Sequence, residues 1–295
     1  MEDEPRDDYL TSTTTGLEIH YREWIGPRAT ANEVAPVVLL HGLASSCHIF
    51  DLCAPILGQT RRVVAFDQRG HGETGKPDTG FETETFVADG VGVAQALGLA
   101  QPYVVTGHSW GASIALEWAA RYPDQVRAVV LVDGAIFPFH EVSGATWESV
   151  RVRLAPPDLS ALTIDDLLAR AGNSLAVVEE SFRRVYLEAL FYFEADGTIR
   201  PRLSRENHMR ILRTMWDEDI GAAFAAVRCP VLALLAGHAA DDAEGTQMDD
   251  LRRRMVRRLQ RAQPLLDVRW MRDTIHDVPL QRPADLAEAI LSVDN

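Results

Sequence analysis

The feature that most constrains the fold is a serine set between a buried strand and a helix. The β-branched run at 104–106 leads into Gly-His-Ser-Trp-Gly at 107–111, and a helix-forming run follows at once. In a strand-to-helix turn this sharp, the serine takes a strained backbone conformation, and only small neighbours let the two elements pass so closely. We therefore predict that Ser109 is an exposed nucleophile and that Gly107 and Gly111 make room for it.

Strands and helices alternate on both sides of this turn. Residues 17–24 alternate apolar and polar side chains, which is typical of an antiparallel strand with one wet face. Later strands are predicted at 36–40, 62–66, 126–132, 230–235 and 265–271. Most of these runs are continuously apolar, which is typical of strands in a sheet that is covered on both faces. Helices are predicted at 83–97, 114–120, 250–262 and 283–291. This alternation predicts an α/β fold with a mostly parallel sheet.

Periodicity and composition divide the chain into three parts. The predicted parts are a disordered acidic lead-in (1–11), a core (12–137 and 228–295) and a cap (138–227). The cap region lacks strands of the buried type and holds helical runs at 164–171 and 175–191, with Thr163 and Ser204 placed as N-caps. We therefore predict that the cap is a helical insertion.

The charge balance argues against two classes of partner. A formal net charge of −14 disfavours nucleic acid and membranes, because both need a concentrated basic surface. The arginines of residues 250–262 do not predict such a surface, since Leu251, Met255 and Leu259 define an apolar helix face and the arginines fall on the solvated faces. We expect a neutral or weakly charged small-molecule substrate and a monomer or homodimer.

The cysteine and hydropathy patterns bear on cofactors and location. Cys47, Cys53 and Cys229 are odd in number, lack metal-ligand spacing and lie far in sequence from any histidine cluster, so we predict small buried residues. No segment approaches the roughly 18 apolar residues of a membrane helix, and the acidic N-terminal residues lack the apolar part of a signal peptide. We expect no cofactor, no metal, no membrane contact and a cytoplasmic location.

Four motifs occur in a set order. They are His-Gly at 41–42, Asp-Gln-Arg-Gly-His-Gly at 67–72, the serine turn at 107–111, and Thr-Ile-His-Asp-Val-Pro at 274–279 with Arg-Pro at 282–283. In this order they resemble the α/β-hydrolase superfamily, specifically its capped members, over residues 17–137 and 229–292. The resemblance implies an eight-stranded, mostly parallel sheet flanked by helices, with the cap inserted after the strand that follows the helix of the serine turn.

The chemistry of the serine needs three further groups. A serine hydroxyl is a weak nucleophile until an imidazole takes its proton, the imidazole needs a carboxylate, and the developing oxyanion needs N–H donors. Among nine histidines, the resemblance implies His276 as the base, because it lies in the loop after the last strand. It also implies the backbone N–H groups of Leu43 and Trp110 as the oxyanion hole.

Two places in the chain offer the acid. Asp133 ends an apolar strand, whereas Asp241 and Asp242 follow a later strand in a loop one residue longer than the usual Gly-x-x-Asp. The resemblance admits either place. We favour Asp133, because a rigid strand end preorganises a side chain, and Asp241 or Asp242 stays the alternative.

These parts predict a serine hydrolase of a small, largely apolar ester, lactone or thioester that works through an acyl-enzyme. Three alternatives stay open: a carbon–carbon bond hydrolase of ring-fission products, an aminopeptidase that holds an amine on Glu179 and Glu180, and a ligand receptor with negligible turnover. Arginines that could hold a ring-fission carboxylate are Arg151, Arg183, Arg184 and Arg210. Aromatic residues of the cap, predicted mainly to pack against the core, are Trp147, Phe182, Tyr186, Phe191, Tyr192, Phe193 and Trp216.

Overall fold

The computed structural model describes residues 4–26, 34–136, 138–142, 144–170, 173–237 and 247–293. In this part of the chain the strands are β1 (Arg6–Thr11), β2 (Glu18–Ile25), β3 (Val37–Leu40), β4 (Arg62–Phe66), β5 (Tyr103–His108), β6 (Val126–Val132), β7 (Phe191–Phe193), β8 (Ile199–Pro201), β9 (Val231–Ala236) and β10 (Leu266–Met271).

The helices of the described residues lie mostly between these strands. They are α1 (Ala54–Gly58), α2 (Thr83–Ala96), α3 (Trp110–Arg121), α4 (Trp147–Arg153), α5 (Ile164–Arg170), α6 (Asn173–Ala176), α7 (Glu180–Glu188), α8 (Arg205–Asp217), α9 (Ile220–Ala226), α10 (Gln247–Ala262), α11 (Val278–Gln281) and α12 (Pro283–Ser292). Within the described ranges, none of them combines the length and the apolar character needed to cross a membrane.

Eight strands form one sheet in the order β1-β2-β4-β3-β5-β6-β9-β10. β2 runs antiparallel to both β1 and β4, and the other neighbouring pairs are parallel. The predicted eight-stranded, mostly parallel sheet is therefore confirmed. β5, which carries the serine turn, lies between β3 and β6 near the middle, and in parallel sheets the carboxyl ends of such strands meet at one edge.

Both faces of the sheet are buried. In β3, Val38 and Leu40 belong to one hydrophobic cluster, and Val37 and Leu39 belong to the other. Successive side chains of a strand point to opposite faces, so each face packs against its own layer of helices. This explains why the central strands are continuously apolar in sequence.

The N-terminal segment corrects one prediction. Residues Arg6–Thr11 are not disordered, because they pair with β2 as an antiparallel edge strand. Two of its acidic side chains have partners: Asp7 accepts hydrogen bonds from His20 Nε2 at 2.7 Å and from Arg22 Nε at 3.0 Å, and Asp8 accepts from Arg6. Backbone pairing and these contacts order the segment despite its composition.

The insertion between β6 and β9 holds α4 to α9 and one small hairpin. Ser204 and Thr163 accept hydrogen bonds from the backbone N–H groups of Asn207 and Asp166, at 3.1 and 3.2 Å, as predicted for N-caps. The helical run predicted over 175–191 differs from the structure: α6 and α7 are separate short helices, and β7 and β8 pair as a two-stranded sheet.

Candidate active site

Ser109 occupies the turn between β5 and α3 in a conformation that L-residues rarely adopt. Its φ is 55° and its ψ is −121°. A Cβ on Gly107 would lie 2.0 Å from the carbonyl oxygen of Gly111, and a Cβ on Gly111 would lie 2.3 Å from that of Leu40. Only glycine fits at these two positions, so the backbone can hold the serine in a strained, preorganised geometry.

Replacing Gly107 with alanine is expected to lower the free energy of unfolding by about 3 kcal/mol, because the added methyl meets backbone that has no room to shift. The matched control is Gly221→Ala in α9, where the added Cβ meets only the Asp219 carboxylate at 3.5 Å. An alanine in the first turn of this helix should leave stability unchanged or slightly higher. Urea unfolding measures both, and equal stabilities would contradict the close approach at the turn.

Three residues distant in sequence form one chain of hydrogen bonds. The Ser109 hydroxyl donates to His276 Nε2 at 2.9 Å, and His276 Nδ1 donates to Asp133 Oδ2 at 2.7 Å. Ser109 and Asp133 follow the neighbouring strands β5 and β6, while His276 lies in the loop after β10. The Nε2 of His108 donates to the backbone oxygen of His276 at 2.9 Å, which fixes that loop over the serine.

The pKa shifts of Asp133 and His276 favour a charged carboxylate beside a basic imidazole. Burial alone would raise the pKa of Asp133, but the hydrogen bond from His276 and the positive charge of Arg252 outweigh it and hold the pKa below its ordinary value. Burial alone would lower the pKa of His276, but the hydrogen bond and charge of Asp133 raise it above its ordinary value. The carboxylate therefore favours the imidazolium form of His276.

Arg252 is a residue of the site that the sequence did not reveal. It extends from α10 to donate to Asp133 Oδ1, and it also donates to the carbonyl oxygen of Ala236 at 2.8 Å. The backbone N–H of Ala236 donates to the same carboxylate oxygen at 3.0 Å. The prediction that the arginines of this helix are solvated was wrong for Arg252 and for the buried Arg253. No local pattern distinguishes these two from the exposed arginines beside them.

Arg252→Gln is expected to move the acid limb of the pH profile of kcat/KM to higher pH. A neutral His276 is needed as base, so activity rises with pH through its pKa, and the Arg252 charge lowers that pKa. Removing the charge raises the pKa and shifts the limb upward. Arg257→Gln, an exposed change on the same helix, is the control and should leave the limb in place. Coincident profiles for both variants and wild type would rule out this effect of Arg252.

The loop that carries Leu43 lies against the serine. A Cβ on Gly42 would lie 2.9 Å from the Cβ of Ser109, so the two segments touch. Burial holds the pKa of His71 well below its usual range, and the neutral ring accepts a hydrogen bond at Nε2 from the backbone N–H of Ala44 at 3.2 Å. This contact positions Leu43, which lines the same cavity as Ser109 and Trp110.

A cavity of about 600 Å³ opens over the serine. The apolar side chains that line it include Ile136, Phe139, Leu154, Leu212, Met215 and Ile220, and most of these come from the insertion. None of the seven predicted cap aromatics is among its lining residues in the described part of the chain. Phe182 and Tyr186 stack on each other and pack against a buried cluster of the core, as predicted, whereas Trp147 and Trp216 pack against one another.

The alternative site residues that the structure describes do not line this cavity. Asp241 and Asp242 are outside the described residues. The four cap arginines have partners away from the cavity: Arg151 with Glu148, Arg183 with the Val178 carbonyl, Arg184 with Asp165, and Arg210 with Glu206. Glu179 and Glu180 begin α7 and do not line the cavity. Among the described residues of this set, none lines the cavity over Ser109, although a further cap arginine, Arg153, does.

One cluster of potential metal ligands occurs among the described residues. His20, Cys47 and Asp67 are all buried and close together, and the Sγ of Cys47 lies 3.8 Å from His20 Nδ1, although the two are distant in sequence. His20 Nδ1 already donates to Asp67 Oδ2 at 2.7 Å, and burial raises the pKa of the Cys47 thiol well above its usual range. A ligand set that is internally bonded and holds a protonated thiol fits a structural network better than a metal site. As predicted, the three cysteines are free and buried.

The family model for the alpha/beta hydrolase fold matches residues 35–160. The chain is 37% identical over 200 residues to 2-(acetamidomethylene)succinate hydrolase of Mesorhizobium japonicum, a match that covers 66% of this chain and 68% of that protein. It is also 36% identical over 118 residues to 2-hydroxymuconate semialdehyde hydrolase of a Pseudomonas species, covering 38% of this chain and 41% of the relative.

Solved structures resemble the whole chain. A crystal structure of E-2-(acetamidomethylene)succinate hydrolase superimposes with a TM-score of 0.76 and 23% sequence identity, covering 98% of this chain and 99% of that one. A thioesterase domain from the curacin biosynthetic pathway gives a TM-score of 0.75 at 18% identity, with 98% and 99% covered. At these identities the likeness establishes the shared fold.

Proposed function

This chain belongs to the α/β hydrolase family, and on that premise we propose that it is a cofactor-independent serine hydrolase of a small, largely apolar carboxylic ester, lactone or thioester. Hydrolase activity in general is supported by its relatives. The observation that carries the finer proposal is the hydrogen-bond chain from Ser109 through His276 to Asp133, with bonds of 2.9 and 2.7 Å.

The proposed reaction has two halves. His276 takes the proton of Ser109 as the hydroxyl attacks the carbonyl carbon, and the N–H groups of Leu43 and Trp110 bind the oxyanion that develops. The tetrahedral intermediate collapses to an acyl-enzyme, and His276 gives its proton to the leaving alcohol or thiol. A water then attacks with His276 again as base, and the acid is released. Asp133 stays ionised and holds the imidazole in the tautomer that presents Nε2 to the serine.

The lining of the cavity favours a substrate with an apolar acyl or alcohol group. Its apolar wall from the insertion and the core can bury such a group, and burial excludes water from the acyl-enzyme until the leaving group has gone. The four cap arginines predicted for a ring-fission carboxylate are paired elsewhere. Arg153 of α4 does line the cavity, so a carbon–carbon bond hydrolase of an anionic substrate is the second candidate function.

Labelling with a fluorophosphonate, followed by kinetics on nitrophenyl esters graded by chain length alongside lactones and thioesters, tests this proposal. The expected result is covalent labelling at Ser109 and turnover of at least one class. A folded protein that is not labelled and hydrolyses no member of the panel, yet binds an apolar ligand tightly, would overturn the proposal in favour of the receptor.

A further inference from the structure

One carboxyl in the substrate cavity has no part in the chemistry proposed above. Glu218 connects α8 to α9 and lines the cavity that also holds Ser109 and His276. Its Oε1 is buried and has no hydrogen-bond partner among the described residues. Since an unpaired buried polar atom costs free energy, a position that keeps one beside a reactive serine is suited to a ligand.

Glu218 lies close to α3 as well as to the cavity. Ser113 of α3 lines the same cavity, and its hydroxyl is near enough to the Glu218 carboxyl to favour the charged form. Ser113 lies four residues after Ser109, in the first turn of α3. The wall of the cavity that contains Ser113 and Glu218 therefore adjoins the turn that carries Ser109.

The protonation state of Glu218 determines whether its carboxyl can donate a hydrogen bond. Burial raises the pKa of Glu218 to about 8, with a further rise from the negative charge of Glu117, while the Ser113 hydrogen bond opposes the shift. The carboxyl is therefore neutral at pH 7. A neutral carboxyl carries one O–H donor, and we assign that proton to Oε1, the oxygen without a partner among the described residues.

We propose that Glu218 is a specificity-determining residue whose Oε1–H donates a hydrogen bond to an uncharged oxygen of the substrate, such as a ketone or ether oxygen, in the same cavity as the reacting carbonyl. This inference rests on the proposed serine hydrolase function and narrows its substrate class. A substrate without that oxygen would leave the donor unpaired in an apolar cavity, which is how a site rejects an analogue that lacks one polar group.

Ionisation of Glu218 removes the donor, so selectivity for the oxygen should fall as pH rises through about 8. Glu218 lines two cavities. The charged and titratable groups that share the outer one with it are Glu82, Glu84, Glu117, Arg121, Asp217 and Asp219. Those that share the cavity over Ser109 are Arg153, His208, Arg252, Asp133 and His276. Arg121 donates to Glu117 and Glu84, and Arg213 pairs with Asp217. Burial lowers the pKa of His208, which is therefore neutral at pH 7 and above.

The test compares two nitrophenyl esters of equal carbon chain, the 5-oxohexanoate and the hexanoate, by their ratio of kcat/KM between pH 6.5 and 9.5. The ratio cancels the titration of His276, because both esters need the same base. In wild type we expect a preference of about tenfold for the oxo ester at pH 7, which corresponds to one hydrogen bond, and a fall of the ratio above pH 8.

Two variants separate a substrate contact from a structural role. Glu218→Gln keeps an N–H donor at every pH, so its ratio should stay near the wild-type value at pH 7 and lose its pH dependence. Glu218→Leu has no donor. Its ratio should therefore fall, at every pH between 6.5 and 9.5, to the ratio of the rates at which the two esters hydrolyse without enzyme. A ratio that is the same in wild type and both variants, in enzyme that a fluorophosphonate still labels at Ser109, would overturn this inference alone. Absence of both labelling and hydrolysis would overturn the proposed function and this inference with it.

Discussion

Replacing Ser109 with alanine is expected to lower kcat by about 10⁶-fold and to abolish fluorophosphonate labelling, because the variant has no atom that can form the acyl-enzyme. The fold should persist, since the serine side chain is exposed to the cavity and its hydroxyl bonds only His276 among the described residues. Activity should therefore be lost without a change in the thermal midpoint.

Ser160→Ala is the control for this result. Ser160 is exposed in the insertion, bonds Asp158 and lies outside the cavity over Ser109. It should retain wild-type turnover and labelling. Turnover of Ser109→Ala within tenfold of wild type, measured on material free of wild-type enzyme, would show that another group is the nucleophile.

Asp133→Asn is expected to lower kcat by about 10⁴-fold while the enzyme remains folded. An amide at this position can donate to His276 Nδ1, which would place the ring proton on Nε2 and remove the acceptor that Ser109 needs. The variant also loses the negative charge that raises the pKa of His276, so the imidazolium formed during attack is less stable. Steady-state kinetics at the pH optimum, with a thermal melt for each protein, measure the loss.

The same experiment decides between the two predicted acids. Asp241→Asn and Asp242→Asn should retain activity within a few-fold of wild type, because the Asp133 carboxylate already holds the imidazole. A loss of about 10⁴-fold in either of these variants, together with a mild effect of Asp133→Asn, would move the acid to the later loop.

The local parts of the fold follow from the sequence because each depends on neighbours in the chain. The strand at Val126–Val132 and the limits of α2 and α12, to within a residue, match the runs read from apolar periodicity and caps. The hairpin of β7 and β8 was missed, although Asp196-Gly197 at its turn is a common hairpin signal, with Gly197 at φ 83°. The helical periodicity of the preceding residues obscured it.

The candidate site likewise combines features that the sequence determines with contacts that only the tertiary structure forms. The sequence by itself determined the sharp turn at Ser109, because a strand, two small residues and a helix within one short segment leave the backbone no other path. It determined His276 and Asp133 only as candidates at the ends of strands. The tertiary structure decided that His276 reaches across from the loop after β10 to meet Asp133, 143 residues away in the chain.

The roles of the residues that set the charge states of the site follow only from the tertiary structure. Arg252 reads as one arginine of an amphipathic helix, and Glu218 as one acid in an acidic stretch, until packing brings the first to Asp133 and buries the second beside Ser113. Their electrostatic effects depend on distance and on exclusion of water, and neither quantity is encoded in residues near them in the chain. Sequence therefore determined which groups could react, and the packing of distant segments decided which of them meet and in what state of charge.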